Sequence, residues 1–253
     1  MSEITWPLND RRHAGRVLAG HLAHYAGQEQ LLVLGLPRGG VAVAFEVARA
    51  LVAPLDILVV RKLGLPGHEE YAMGAIASGG VRVMTSLAGL NVTPAQVAEV
   101  VAREQGELVR REQLYRGQHP ALGIKGRTVI VVDDGLATGA SMRAAVLAIR
   151  LQHPTRLVVA VPVGAQDSCQ ALREEADEVV CAAMPHPFRA VGLWYKNFPQ
   201  TGDEEVISLL DEARRTHELA LKASLVQKPF RQQTLSPEQQ ADFAQTGRQR
   251  KRL

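Results

Sequence analysis

Short apolar runs alternate along this chain with longer stretches whose apolar residues recur every three or four positions. Residues 31–35, 55–61, 128–132, 157–163 and 178–182 read as strands, and the unbroken apolar ones as strands buried on both faces. Helical periodicity covers 41–51, 139–152 and a long stretch that opens at Thr93. There a capping Thr93 is followed by Pro94 at the first helical position and by Gln96, which closes a capping box, so the spacing predicts a helix to about Arg116. Between the second strand and this helix, a glycine-rich segment over 64–80 and the residues up to Met84 can form an antiparallel pair. Strand and helix taking turns in this way describe an α/β fold: an open, mainly parallel sheet flanked by helices.

A last helix opens at Thr201, Gly202, Asp203 and Glu204. Its apolar positions, Val206, Leu209, Leu210, Ala213, His217 and Leu221, keep helical spacing past what a compact core requires, and Pro229 should stop it. Residues 1–215 therefore read as one domain, and 216–253 as an extension, part helical and part basic flexible tail. The excess apolar stripe suits a homodimer contact. Arg248, Arg250, Lys251 and Arg252 crowd the end of the chain, but no aromatic residues are interleaved for base stacking, so nucleic acid is not the expected partner. With 46% hydrophobic and 22% charged residues in 253, the composition is that of a soluble globular protein. Cys169 and Cys181 form neither a disulfide framework nor a metal-ligand spacing. With no apolar run near the ~20 residues a membrane helix needs, and no leader-like start, a cytoplasmic location is expected.

The chemistry is concentrated in residues 129–142. An apolar strand ends in Asp133 and Asp134, a turn with two glycines follows, and small or hydroxyl residues open a helix. Amides at a helix start are unpaired donors in a favourable dipole, so Ala137, Thr138, Gly139, Ala140 and Ser141 suit a phosphate. Two acids repel phosphate, yet they can accept hydrogen bonds from a sugar diol, and can assist a hydrated magnesium ion. Phosphate and diol on one loop amount to recognition of a ribose 5-phosphate. Adjacent acids at a buried strand end are costly unless a ligand compensates them.

This segment resembles the 5-phosphoribosyl 1-diphosphate (PRPP) motif of the class I phosphoribosyltransferases. The chain as a whole is similar to an uncharacterised branch of that family from Asp10 to about Leu210. The resemblance implies a type I phosphoribosyltransferase fold with a small hood, and a magnesium-dependent transfer of ribose 5-phosphate from PRPP to a nitrogenous acceptor. Asp133 and Asp134 would serve the diol and, through water, the Mg2+ shell. The run Leu36, Pro37, Arg38, Gly39 and Gly40 falls where the family grips the diphosphate and often carries a non-proline cis peptide. Arg61 and Lys62 correspond to an Arg-Lys pair set against the diphosphate, with Lys62 counted among the catalytic residues. The segment 64–80 matches a mobile loop, from which His68, Glu69 and Glu70 could reach the acceptor. Residues 185–198 would form the hood, with Phe188, Trp194 or Tyr195 offering a stacking face. Enzymes acting on 6-oxopurines have an acid where this chain has Ala137, which argues against hypoxanthine and guanine. A non-catalytic PRPP-binding regulator or sensor is the alternative reading.

Overall fold

The computed structural model describes residues 6–84 and 92–227. The expected stop at Pro229 and the basic tail lie outside the described residues. In chain order the elements are α1 (Arg11–His21), β1 (Leu31–Gly35), α2 (Gly39–Leu51), β2 (Leu55–Ile57), β3 (Val60–Leu65), β4 (His68–Ala77), β5 (Val81–Met84) and α3 (Pro94–Arg116). They continue with β6 (Thr128–Val132), α4 (Ala140–Arg150), β7 (Arg156–Val163), α5 (Gln166–Leu172), β8 (Glu178–Ala183) and α6 (Asp203–Gln227). The chain divides into two compact units, residues 1–218 and 219–253.

Five strands form a wholly parallel sheet in the order β2-β1-β6-β7-β8. Successive side chains on a strand point to opposite faces, so each doubly buried strand supplies two cores. Leu31, Val33, Ile130, Val132, Val158 and Ala160 join a core with α1, α2 and the first turns of α6. Leu32, Leu34, Val129, Val131, Val159 and Val161 meet α4 and α5 on the other side. The capping box at Thr93 forms as the spacing predicts.

Two helices are not expected from the pattern. Helix α1 buries only Ala14, Gly15, Leu18 and Ala19, a stripe too weak in large apolar residues to read as a helix. Asp10 caps it by accepting from the His13 N–H at 2.7 Å. At Gly15 a Cβ would come 2.6 Å from the Val43 carbonyl oxygen, so this glycine lets α1 lie directly against α2. Helix α5 has seven residues and no side-chain cap.

The single strand expected over 55–61 is two strands in different sheets. β2 stops after Ile57: the Leu58 N–H makes a last bond to Gly35 of β1, and Val59 then bonds Ser78, accepting its N–H and donating to its hydroxyl. Beyond them β3 pairs antiparallel with β4, and β4 with β5, as a separate three-stranded sheet. The glycine-rich segment thus holds the expected antiparallel pair and one strand more, and the small sheet packs against α3 and α4.

Candidate functional site

β6 delivers Asp133 and Asp134 to the carboxyl edge of the parallel sheet, where ligands of open α/β sheets bind. The two acids are treated differently. Asp134 accepts from Arg11 Nε at 2.7 Å, and Tyr195 Oη donates to its backbone carbonyl at 2.5 Å. Arg11 also donates to the Pro199 carbonyl at 2.6 Å and lies 3.7 Å above the Phe198 ring. One arginine therefore ties α1, the acidic loop and the hood together. Asp133 instead lines a small recess of about 90 Å³ together with Leu36, Pro37, Leu58, Val59, Val60, Arg111 and Ser141. Burial, reinforced by the charge of Asp134, pushes the Asp133 carboxyl well above the usual range. Burial also raises Asp134, with Arg11 working against it.

The loop after the acids stands open. Ala137, Thr138, Ala140 and Ser141 are exposed, and Gly139 takes the left-handed conformation (φ 74°) that starts α4 without a capping side chain. No side chain caps the first amides of α4. The loop is anchored from behind, with the Leu136 N–H on Val163, the Ala165 N–H on Leu136, and Ser168 Oγ donating to the Ala137 carbonyl at 2.6 Å.

The peptide between Pro37 and Arg38 is cis, within the run where the resemblance places one. Gly39 and Gly40 let the start of α2 press on the acids. A Cβ at Gly40 would lie 2.8 Å from the Val132 oxygen and 2.9 Å from Asp133 Cα, and one at Gly39 would collide with the Asp134 carboxylate. Arg38 sits at the mouth of this loop, 3.7 Å from Asp203, which also accepts from Tyr115 Oη at 2.6 Å.

The expected cations do not converge. Arg61 turns to α3 and bonds Glu104 Oε2 through Nε (2.9 Å) and Nη2 (2.6 Å). Burial would raise Glu104, yet hydrogen bonds from Arg61 and Arg103 hold it below the usual carboxylate range. Lys62, the next residue along β3, is exposed, as alternation on a strand requires. His68 is exposed and stacks edge-on to Tyr71, Glu69 is exposed, and the Glu70 side chain lies outside the described residues.

Of the three candidate stacking aromatics, Tyr195 is buried (6% exposed) and packs on Phe198. Its hydroxyl binds the Asp134 carbonyl and its ring fills the core. Trp194 meets Trp6 edge-on, and both Trp194 and Phe188 pack partly buried against the core. The hood closes on the acidic loop through Val191, since a Cβ at Gly135 would come 2.4 Å from its Cγ1. Arg11 and Arg111 are the residues that sequence reasoning missed. The first sits on a helix with a weak stripe, and the second is one charge among many on α3.

A sequence profile of the phosphoribosyl transferase domain matches residues 8–195. Two Mycobacterium tuberculosis proteins, from strains CDC 1551 / Oshkosh and ATCC 25618 / H37Rv, are each 47% identical over 209 residues. Their names assign them provisionally to the phosphoribosyl transferases. The match covers 82% of this chain and 47% of each relative, so the chain spans about half the length of these curated proteins. The crystal structure of TT1426 from Thermus thermophilus is 45% identical, covers 81% of this chain and 98% of its own, and superposes with a TM-score of 0.73. A purine phosphoribosyltransferase from Pyrococcus horikoshii aligns more loosely, at 16% identity over 76% of this chain and 89% of its own, with a TM-score of 0.41. The profile spans most of the chain and the two relatives agree with it: this chain belongs to the phosphoribosyl transferase family.

Proposed function

We propose that the chain transfers ribose 5-phosphate from PRPP to a nitrogenous acceptor with release of diphosphate, assisted by magnesium. The observation that carries this reading is Asp133, an acid at the end of a central strand that faces a recess shared with Pro37 and Ser141. Burial and the neighbouring charge of Asp134 raise its proton affinity, and hydrogen bonds donated by a sugar diol would favour its charged form. On this reading the ribose hydroxyls donate to Asp133, the exposed amides and hydroxyls of 137–141 hold the 5-phosphate, and the cis-peptide loop faces the diphosphate. Asp134 acts from behind, where its pairing with Arg11 holds the loop in position.

The donor set suits magnesium held mainly by substrate and water. Among the described residues no group of three or more His, Cys, Asp or Glu could hold a metal ion, and a single carboxylate beside substrate oxygens is how magnesium is commonly bound. Bound there, magnesium would neutralise charge on the diphosphate. The protein's own contribution is positioning and charge stabilisation.

One observation favours the alternative of a non-catalytic PRPP sensor, namely that Arg61 is committed to Glu104 and not to the recess. Diphosphate release, measured with PRPP, magnesium and a panel of nitrogenous acceptors, tests the enzyme reading, with Asp133→Asn as the blank. Binding of PRPP without turnover on any acceptor would favour the sensor. Absence of binding would sink both.

A further inference from the structure

We propose that Arg111 is the cation that grips the diphosphate in this protein, in the place that the sequence assigns to Arg61. The inference rests on the PRPP reading above and deepens it. Two observations separate the arginines. Arg61 spends two N–H groups on one oxygen of Glu104, a residue 8% exposed whose other oxygen takes Arg103 at 3.1 Å. Freeing Arg61 would take two of its three guanidinium hydrogen bonds from a buried carboxylate and leave it only the longer one to Arg103. Arg111 comes from the same helix nearly two turns later and lines the recess itself, with Pro37 of the cis-peptide loop and with Asp133 and Ser141.

Its surroundings prepare it. Glu107, one turn earlier, accepts from Arg111 Nε at 2.7 Å. Hydrogen bonds from Arg110 and Arg111 hold the Glu107 carboxyl down to about 2, so it stays charged and fixes the guanidinium plane at any ordinary pH. That bond uses Nε, and the two terminal nitrogens form the fork that matches a phosphate end-on. One turn later on the same face, Tyr115 donates to Asp203, which also holds Arg38. α3 thus brings Arg111 to the loop that Arg38 closes, and a second positive charge stands at the same mouth.

During transfer the C1–O bond breaks and its electron pair leaves with the diphosphate. The lone pair of the acceptor nitrogen forms the new C1–N bond, and the proton on that nitrogen passes to solvent. The departing group gains charge, and a guanidinium already fixed in a half-buried recess stabilises it without rearranging.

The test is calorimetric binding of inorganic diphosphate with magnesium, and separately of ribose 5-phosphate, to wild type, Arg111→Gln, Arg111→Lys, Arg61→Gln and Arg110→Gln. Arg110 is the charge control, because it is exposed, adjacent and also pairs with Glu107. Arg111→Gln should weaken diphosphate binding about 10- to 100-fold, the worth of losing a charged hydrogen-bond donor, and leave ribose 5-phosphate binding nearly unchanged. Arg111→Lys should recover part of the loss, since it restores the charge without the fork. Arg110→Gln should shift either affinity less than about threefold. Diphosphate bound equally well by Arg111→Gln and wild type, or a larger loss in Arg61→Gln, overturns the proposal. Should wild type bind neither probe, the PRPP reading itself fails, and that outcome is separate because it appears before any substitution.

Discussion

Replacing Arg11 by methionine should unfold the protein more readily through a single charge. The side chain of Arg11 is 12% exposed and that of Asp134 17%, and their contact is 2.7 Å. Removing one member of a largely buried pair leaves the other charge uncompensated, at a cost of about 3–5 kcal/mol. Methionine replaces much of the apolar packing on Phe198, and neither partner is fully enclosed, so the lower end, about 3 kcal/mol, applies here. In a domain of this size each kcal/mol moves the melting temperature by roughly 2–4 °C, so the fall should be about 6–12 °C. The pH dependence has a definite sign. Burial raises Asp134 in the folded state. The folded protein therefore holds a proton that the unfolded chain, with an aspartate near 3.9, has released, and stability drops as pH rises through that window. Without Arg11 the window widens, so the deficit against wild type should be largest near pH 8 and shrink toward pH 4. Adding Asp134→Asn to the variant should return most of the loss, as a double-mutant cycle in urea would record. A deficit below about 1 kcal/mol, or one that persists at pH 4 and ignores Asp134→Asn, would refute the reasoning.

Three further outcomes follow from the same geometry. Asp133→Asn should melt at or above wild type at pH 7.5, because it removes a carboxylate whose charge is disfavoured by burial, yet PRPP should no longer stabilise it and turnover should fall at least about tenfold. Gly40→Ala forces a methyl against backbone at Val132 and Asp133, and should cost about 1–3 kcal/mol, read as a lower urea midpoint with an unchanged slope. Burial and its hydrogen bond to Asp203 push Tyr115 up to about 12. Because the folded phenol keeps its proton after the unfolded one has lost it, stability should decline from about pH 10 to 12, and Tyr115→Phe should flatten that slope in alkaline urea titrations.

Much of this architecture can be read from the chain because its strands are apolar runs and its long helix is strongly capped. The sequence 128–141 announces strand, acids, glycine turn and helix in that order, and the structure has them so. What escapes reading has physical causes. Arg61 follows an apolar run in sequence, but that run breaks at Leu58, and the next residues pair with β4. A break between two apolar strands leaves no polar signal. Arg111 lies among Arg110, Glu107 and Glu112 on a charged helix, and only tertiary packing shows which of its cations faces inward. Tyr195 looks available for stacking because its neighbours are irregular, whereas its ring is held by Phe198 and its hydroxyl by Asp134.

The two adjacent acids are alike in sequence, and their different partners explain why both are needed. On the proposed reading Asp133 is the acid left for a ligand, and burial with the charge of Asp134 beside it raises its proton affinity. A loop carrying such an acid would tend to swing its charge toward water. Asp134 opposes this: Arg11 clamps its carboxylate, Tyr195 holds its carbonyl, and its own N–H bonds Asp133 Oδ1 at 2.8 Å. Through that last bond the neutralised residue orients the one that faces the recess. Gly39 and Gly40 then set α2 so close that the backbone has no room to relax. Burial disfavours charge on both carboxylates, but only Asp134 has a guanidinium against it, so the larger penalty falls on Asp133, the acid that lines the recess.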